Sequence, residues 1–381
     1  METTAHPIYL DCNATTPIEP SVRQVMLAYF DEEIGNAGSR THVYGTRSRR
    51  AVEEARDQIA KVVDAQPEEV TFTSGATESN NLAILGLADF GLEQGRRHIV
   101  STQIEHKAVL GPLKEMERRG FEVTLLAPTT GGYVEPGAVQ AALRGDTLLV
   151  SVMHVNNETG VEQPLGKIAA LLGDHAAFFH VDAAQGFGKS ISALRLPRID
   201  LMSLSSHKVY GPKGIGALVA RRRRFRKPPL QPLLHGGDQE RGLRSGTLPV
   251  PLIAGFGEAA RLALADHADR RRRCDAFRRQ ALRHLLPLSP RLNGDQERTL
   301  PHTLSFAIPG VDAEAAMVAL KDLVAVSNGS ACTSARYEPS HVLLAMGLSD
   351  EEANQTIRMS WCHATPEPDW KEIVRRLGEV A

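Results

Sequence analysis

Nowhere among the 381 residues does an apolar run approach the ~18 needed to cross a bilayer as a helix. The opening segment METTAHPIYLD lacks the basic and apolar stretches of a secretory signal. Cysteine is scarce: Cys12, Cys274, Cys332 and Cys362 lie far apart and form no CxxC pair, which argues against a disulfide framework and a structural zinc site. A reducing cytoplasm is the expected compartment. An excess of either charge is lacking too. A net charge of −1 gives no field that would make nucleic acid or a membrane the main partner. The basic runs Arg221–Arg224 and Arg270–Arg273 read as solvated faces. No internal repeat or low-complexity tract stands out.

What is present is a chain with 42% hydrophobic residues, ample for more than one domain. In RAVEEARDQIAKVVDA, Ala51, Val52, Ala55, Ile59, Val62 and Val63 share one helical face. Strand-like and helix-like stretches then alternate through EVTFTSG, ESNNLAILGLADF, HIVST, EHKAVLGPLKEMERRG, EVTLLA, TLLVSVMHV, AFFHVDAA and LMSLSS. Near-continuous apolar strands are what a sheet covered by helices on both faces requires. An α/β domain with a mainly parallel sheet is therefore expected over 17–255. From 256 a long Arg/Ala/Leu-rich helix leads to shorter strands around TLSFAI, LVAVSNGSAC and IRMSWC, then to a last amphipathic helix. This reads as a smaller α+β domain, 256–381, that also takes in 1–16.

The chain has ten lysines, and one of them, Lys208, ends the apolar strand LMSLSS within SSHKVYGPKG. A side chain there projects from a strand end, where open α/β sheets bind ligands. Gly211, Gly214 and Gly216 would let backbone pass close to a cofactor. A surface lysine before a Gly/Pro turn is the alternative. Asp182, in HVDAAQ, closes another apolar run, where a carboxylate is costly unless paired. The protonated ring nitrogen of pyridoxal phosphate (PLP) is one such partner; a helix cap or an arginine is another. Gln185 suits the ring's phenolic oxygen or, equally, backbone.

TSGATE reads as strand, turn and helix start, so the N–H groups around Ala76 and the Thr77 hydroxyl would meet a phosphate. Ser205 and His207 flank the lysine and complete the cradle. His106 in IEHKAV and Asn157 in HVNNETG both follow apolar strands and so face one sheet edge. An imidazole there can stack on a pyridine ring and relay protons, or simply start a helix. Arg358 in TIRMS matches a substrate carboxylate bidentately, or makes a structural ion pair. Cys332 sits among small residues in SNGSACTS, a setting for a mobile thiolate nucleophile rather than for core packing.

Together the segments YLDCNATTP, GNAGSRTH, TSGATESNN, EHKAV, HVNNETG, HVDAAQ, SSHKVYGPKG, HGGDQERGLRSGTLP and SNGSACTS resemble, in order and nearly end to end, the cysteine desulfurases of class V aminotransferase ancestry. The SACTS loop resembles the subgroup whose catalytic cysteine rides on a long mobile loop. The resemblance implies a fold-type I architecture with a mainly parallel seven-stranded sheet, a PLP cofactor and a homodimer. It implies that Lys208 anchors the cofactor, Asp182 pairs its ring nitrogen, Gln185 its ring oxygen, and His106 stacks on the ring. Ala76, Thr77, Ser205 and His207 would bind phosphate, and Thr247 would reach the phosphate of the neighbouring subunit. Asn157 and Arg358 would hold the carboxylate of L-cysteine. Cys332 would take its sulfur as a persulfide, leaving alanine, and pass it to an acceptor protein, with no metal in the site and no direct contact to nucleic acid or membrane.

Two segments depart from the housekeeping iron–sulfur enzymes. GNAGSRTH replaces their GNPASRSH, and MSWCHAT stands where they carry a leucine-glycine-arginine-aromatic run. Both resemble the desulfurases that serve DNA phosphorothioation, and both direct attention to the partner surface. The rival readings are another class V PLP enzyme, such as a selenocysteine lyase or an aminotransferase, a colourless thiol hydrolase or acyltransferase using Cys332 and His106, and a silent scaffold.

Overall fold

The computed structural model describes residues 6–223, 225–328 and 339–380. Its strands, in chain order, are β1 (Ile8–Tyr9), β2 (Val70–Thr73), β3 (His98–Thr102), β4 (Glu122–Leu126), β5 (Thr147–Ser151), β6 (Phe178–Asp182), β7 (Leu201–Ser205), β8 (Gly216–Ala220), β9 (Arg291–Leu292), β10 (Thr303–Ala307), β11 (Val324–Ala325) and β12 (Thr356–Ser360). Seven form one sheet in the order β2-β8-β7-β6-β5-β3-β4. The sheet is parallel except that β8 runs antiparallel to both its neighbours. The fold class expected from the alternating pattern is thus the fold observed. TLLVSVMHV leaves the sheet after Ser151, so Val152–Val155 begin the connection that carries Asn157.

Fully buried strands explain the apolar runs: every residue of β2, β3, β5 and β7 is buried. The helix Val43–Val63 buries all six residues of its expected face. It starts seven residues before the segment RAVEEARDQIAKVVDA, because the His42 ring accepts the Gly45 N–H at 3.2 Å and caps it. The same large core takes in Phe256, Ala259, Ala260 and Ala263 of the helix Val250–Ala265. The single long helix expected after 256 is two, Val250–Ala265 and His267–Leu285, broken at Asp266. A second core gathers Leu10, Phe277, Phe306, Trp361 and Trp370 beside the antiparallel sheet β12-β10-β9. The N-terminal segment joins it through β1, which pairs in parallel with β11.

Two arginines of the basic runs are not solvated. Arg221 is 7% exposed and donates to the Leu194 carbonyl at 2.8 Å. Arg270 is 7% exposed, pairs with Glu19 at 2.7 Å and lies over the Tyr210 ring. Their long stems bury while carbonyls or a carboxylate take the guanidinium. Arg271–Arg273 are exposed as expected.

Candidate active site

Strand ends supply the site. β6, β7 and the β3 and β5 connections all open at one edge of the sheet into a cavity of about 610 Å³, a size typical of small-molecule sites. Ten of the expected catalytic and binding residues line it: Ala76, Thr77, His106, Asn157, Asp182, Gln185, Ser205, His207, Lys208 and Arg358. Thr247 is exposed and lies outside this chain's cavity. Cys332 lies outside the described residues.

Lys208 follows β7 in a single 3₁₀ turn. Its Nζ donates to the Asn13 carbonyl and, at 2.9 Å, to the Ala14 carbonyl. Asp182, the last residue of β6, is 6% exposed. One carboxylate oxygen accepts from Asn80 Nδ2 at 2.8 Å and the other from the Ala184 N–H at 3.0 Å. These bonds fix the carboxylate where it faces the cavity. Gln185 Nε2 donates to the Asn13 carbonyl at 2.8 Å, while its buried Oε1 has no hydrogen-bond partner among the described residues.

The turn Ser74–Gly75 enters the helix Ala76–Leu85, whose first N–H groups have no intrahelical acceptor. Gly75 holds φ 154°, a conformation that side chains resist. Gly216 serves this turn: a Cβ there would meet Gly75 Cα at 2.6 Å. Gly214 does line the cavity, but Gly211 does not, because its missing Cβ makes room for Ser206 Oγ. The His207 Nδ1 pairs with Thr15 Oγ1 at 3.1 Å. Burial and the charges of Lys208 and Lys213 push its pKa down to about 4, so it meets a ligand as a neutral ring.

His106 caps the helix Lys107–Arg118, as the helix-start reading has it, and also lines the cavity. Its Nδ1 accepts the Ala108 N–H at 3.1 Å, which leaves the proton of the neutral ring on Nε2. Burial, aided by Lys208 and opposed by Asp182, holds its pKa below the usual histidine range. Arg358 on β12 is 2% exposed. It donates to the Asn157 carbonyl at 2.9 Å and pairs with Asp11 at 2.6 Å. The ion pair therefore exists, and it orients a guanidinium that faces the cavity.

The residues sequence reasoning passed over are Asp11, Asn13, Asn80 and Lys213. Asn13 is a hub: its carbonyl takes Lys208 and Gln185, and its amide donates to the Asn157 carbonyl at 3.1 Å. Asn80 stands four residues after Ala76, on the same helical face, which is the signal that could have found it. The donor set fits PLP. A helix N-terminus with hydroxyls meets a phosphate, a fixed buried carboxylate meets a ring nitrogen, and a lysine amine lines the same cavity.

Comparison with known proteins agrees. The chain belongs to the class V aminotransferase family, whose model matches residues 8–372. It is accordingly a PLP enzyme. It is 47% identical over 385 residues to the cysteine desulfurase IscS of Methylococcus capsulatus, covering 98% of this chain and 94% of that one. The crystal structure of DndA from Streptomyces lividans superposes with a TM-score of 0.82 at 49% identity, covering 93% of this chain and 99% of the other. A structure of SspA in complex with cysteine gives a TM-score of 0.80 at 37% identity, covering 93% and 98%.

Proposed function

We propose that this protein is a cysteine desulfurase that converts L-cysteine to L-alanine and holds the sulfur as a persulfide on Cys332. One observation carries the reading: a lysine amine, a fixed buried carboxylate and a buried guanidinium converge on one cavity, at Lys208, Asp182 and Arg358. Bound PLP supplies the electron sink for the substrate's Cα electrons. Asp182, locked by Asn80 and Ala184, holds the proton at the ring nitrogen. Lys208 anchors the cofactor and moves protons at the substrate carbon. His106 stacks on the ring and relays protons, and Gln185 pairs with the ring oxygen. Ala76, Thr77, Ser205 and His207 hold the phosphate. Arg358 and Asn157 orient the substrate carboxylate.

The Cys332 thiolate attacks the substrate sulfur. An S–S bond forms as the Cβ–S bond breaks, and protonation of the carbon leaves alanine, so cysteine plus thiol gives alanine plus persulfide. The persulfide then passes to an acceptor protein. We place the enzyme in the cytoplasm as a homodimer in which Thr247 meets the neighbour's phosphate. The loop bearing it is tied down by Glu240, which takes Arg56 at 2.8 Å, and by Arg244, which pairs with Glu78 at 2.9 Å. We also propose 17–255 and 1–16 with 256–381 as large and small domains. Leu10 in the second core supports this, while Phe256 and Ala260 in the first move the boundary toward Asp266.

The destination of the sulfur is DNA phosphorothioation or iron–sulfur or thio-cofactor assembly. The exposed residues of GNAGSRTH can meet an acceptor, whereas Trp361 and Cys362 of MSWCHAT are buried and bear on packing rather than on a partner surface. The test is an absorption spectrum of the purified enzyme before and after L-cysteine, with mass spectrometry of the Cys332 peptide. A visible band that responds to cysteine and a persulfide on Cys332 are expected. A colourless protein, or alanine formed without protein-bound sulfur, would sink the reading.

A further inference from the structure

Beneath the site, three of the four cysteines cluster out of solvent. Cys12 is 1% and Cys362 6% exposed, and they pack together against Tyr210. Pairing of the N-terminal segment with β12 sets them side by side. The Ser360 N–H donates to the Leu10 carbonyl at 2.8 Å, and the Cys12 N–H donates to the Ser360 carbonyl at 3.0 Å. Cys362 Sγ also accepts the Thr365 hydroxyl at 3.4 Å. Close by, Lys189 Nζ is buried without a hydrogen-bond partner among the described residues. It lines a cavity of about 20 Å³ with Cys274, Tyr210 and His302, room for one molecule of about water's size.

Electrostatics prepare the pair for chemistry. The adjoining Cys12 thiol, the Thr365 hydroxyl and the Ala364 N–H pull Cys362 down to about 5 against burial. The neighbouring Cys362 and burial push Cys12 far up. Lys189, lowered to about 8 by burial, is still mostly cationic at neutral pH and lies near all three sulfurs. Two sulfurs held together in one buried cluster, one of them biased toward the thiolate, are an arrangement that oxidises to a disulfide.

The neighbours of Cys12 are the residues that hold the site. Asp11 pairs with Arg358 at 2.6 Å, and the Asn13 carbonyl receives Lys208 and Gln185. We propose that Cys12 and Cys362 are a redox-modification site, oxidised by hydrogen peroxide to a disulfide that displaces Asp11 and Asn13 and weakens binding at Arg358. Cys362 attacks one peroxide oxygen; the O–O bond breaks, water leaves, and Cys362 becomes a sulfenic acid. Cys12 then attacks that sulfur, the S–O bond breaks, and a second water leaves with the Cys12 proton. Two thiols and one peroxide give one disulfide and two waters, the two electrons coming from sulfur. An S–S bond of ~2.05 Å draws the sulfurs more than about 1 Å closer than non-bonded contact. Shifts of that size at a site cost up to ~10²-fold.

The effect on binding rests on the reading of Arg358 given above; the disulfide does not. The test uses the holoenzyme carrying Cys332→Ser, which removes the proposed nucleophile as a target, with Cys12→Ser and Cys362→Ser added as separate controls checked for the cofactor's absorbance. After peroxide, peptide mapping reads the link, and the cofactor spectrum reads the affinity for L-alanine, which has the substrate's carboxylate but no thiol. A Cys12–Cys362 peptide seen only without the added substitutions is expected. Alanine affinity should fall at least ~10-fold and return on reduction with dithiothreitol. Full alkylation of both cysteines after unfolding, or a link that leaves alanine affinity unchanged, overturns the proposal. A reduced protein that fails to bind alanine refutes the role given to Arg358 instead, and the link alone then decides the modification.

Discussion

Glu105 precedes His106 and is fully buried. Its Oε1 accepts the Thr102 hydroxyl at 2.9 Å and the Met153 N–H at 2.8 Å, tying the His106 loop to the cavity wall. Burial raises its pKa from 4.5 to about 8. The folded state therefore keeps a proton that the unfolded chain releases. Where the folded state binds more protons, stability falls as pH rises. That fall begins near the unfolded value of 4.5 and ends near 8. At 1.36 kcal/mol per pKa unit, the cost of Glu105 grows by about 3.5 kcal/mol between pH 5 and pH 8. Glu105→Gln keeps the accepting oxygen and removes the titration. Urea unfolding of the wild-type and Glu105→Gln holoenzymes at both pH values isolates the difference, since other groups cancel. The variant should gain about 3.5 kcal/mol on the wild type as pH rises from 5 to 8. Parallel stability curves would show that Glu105 is ionised in the fold and refute the reasoning.

Four further outcomes are expected. Lys208→Ala should lose the visible band and all turnover, and borohydride should trap no cofactor on protein; trapping on another lysine refutes the assignment. Mixed dimers of Lys208→Ala and Thr247→Ala subunits should regain one intact site, read as turnover above that of either homodimer, because both lesions then fall in the other site. Cys332→Ser should bind PLP and substrate yet yield no persulfide and almost no alanine, while reduced Cys362→Ser keeps most activity; sulfur located on Cys362 with Cys332→Ser active would overturn this. Asn80→Ala should leave Asp182 short of one charge-assisted bond and cost about 1.5–3 kcal/mol of site stability, measured as weaker PLP retention during dialysis; unchanged retention would count against the positioning role.

How much could be read without coordinates depended on whether a residue's role was local. β3 ran from His98 to Thr102 as its apolar pattern demanded, and the helix face from Ala51 to Val63 was buried throughout. Asp182, Lys208 and His106 were legible for a related reason. Each is a polar group at the end of an apolar run, where burial without a purpose would cost several kcal/mol. Asn13 and Asp11 show the limit. Asn13 works through its backbone carbonyl, which any residue carries, and its importance comes from contact with Lys208, 195 positions away. No composition or spacing signals such a contact. Arg270 failed for the opposite reason: beside three exposed arginines its charge suggested solvent, yet Glu19 and the Tyr210 ring, both distant in sequence, bury it. Cys362 combines both cases. The strand that carries Arg358 fixes its position, but its chemistry depends on Cys12, 350 residues earlier in the chain. Groups whose function is made by a long-range neighbour are silent in the sequence, and in this protein they support the site from below: Asn13 holds Lys208, Asn80 holds Asp182, and Asp11 holds Arg358.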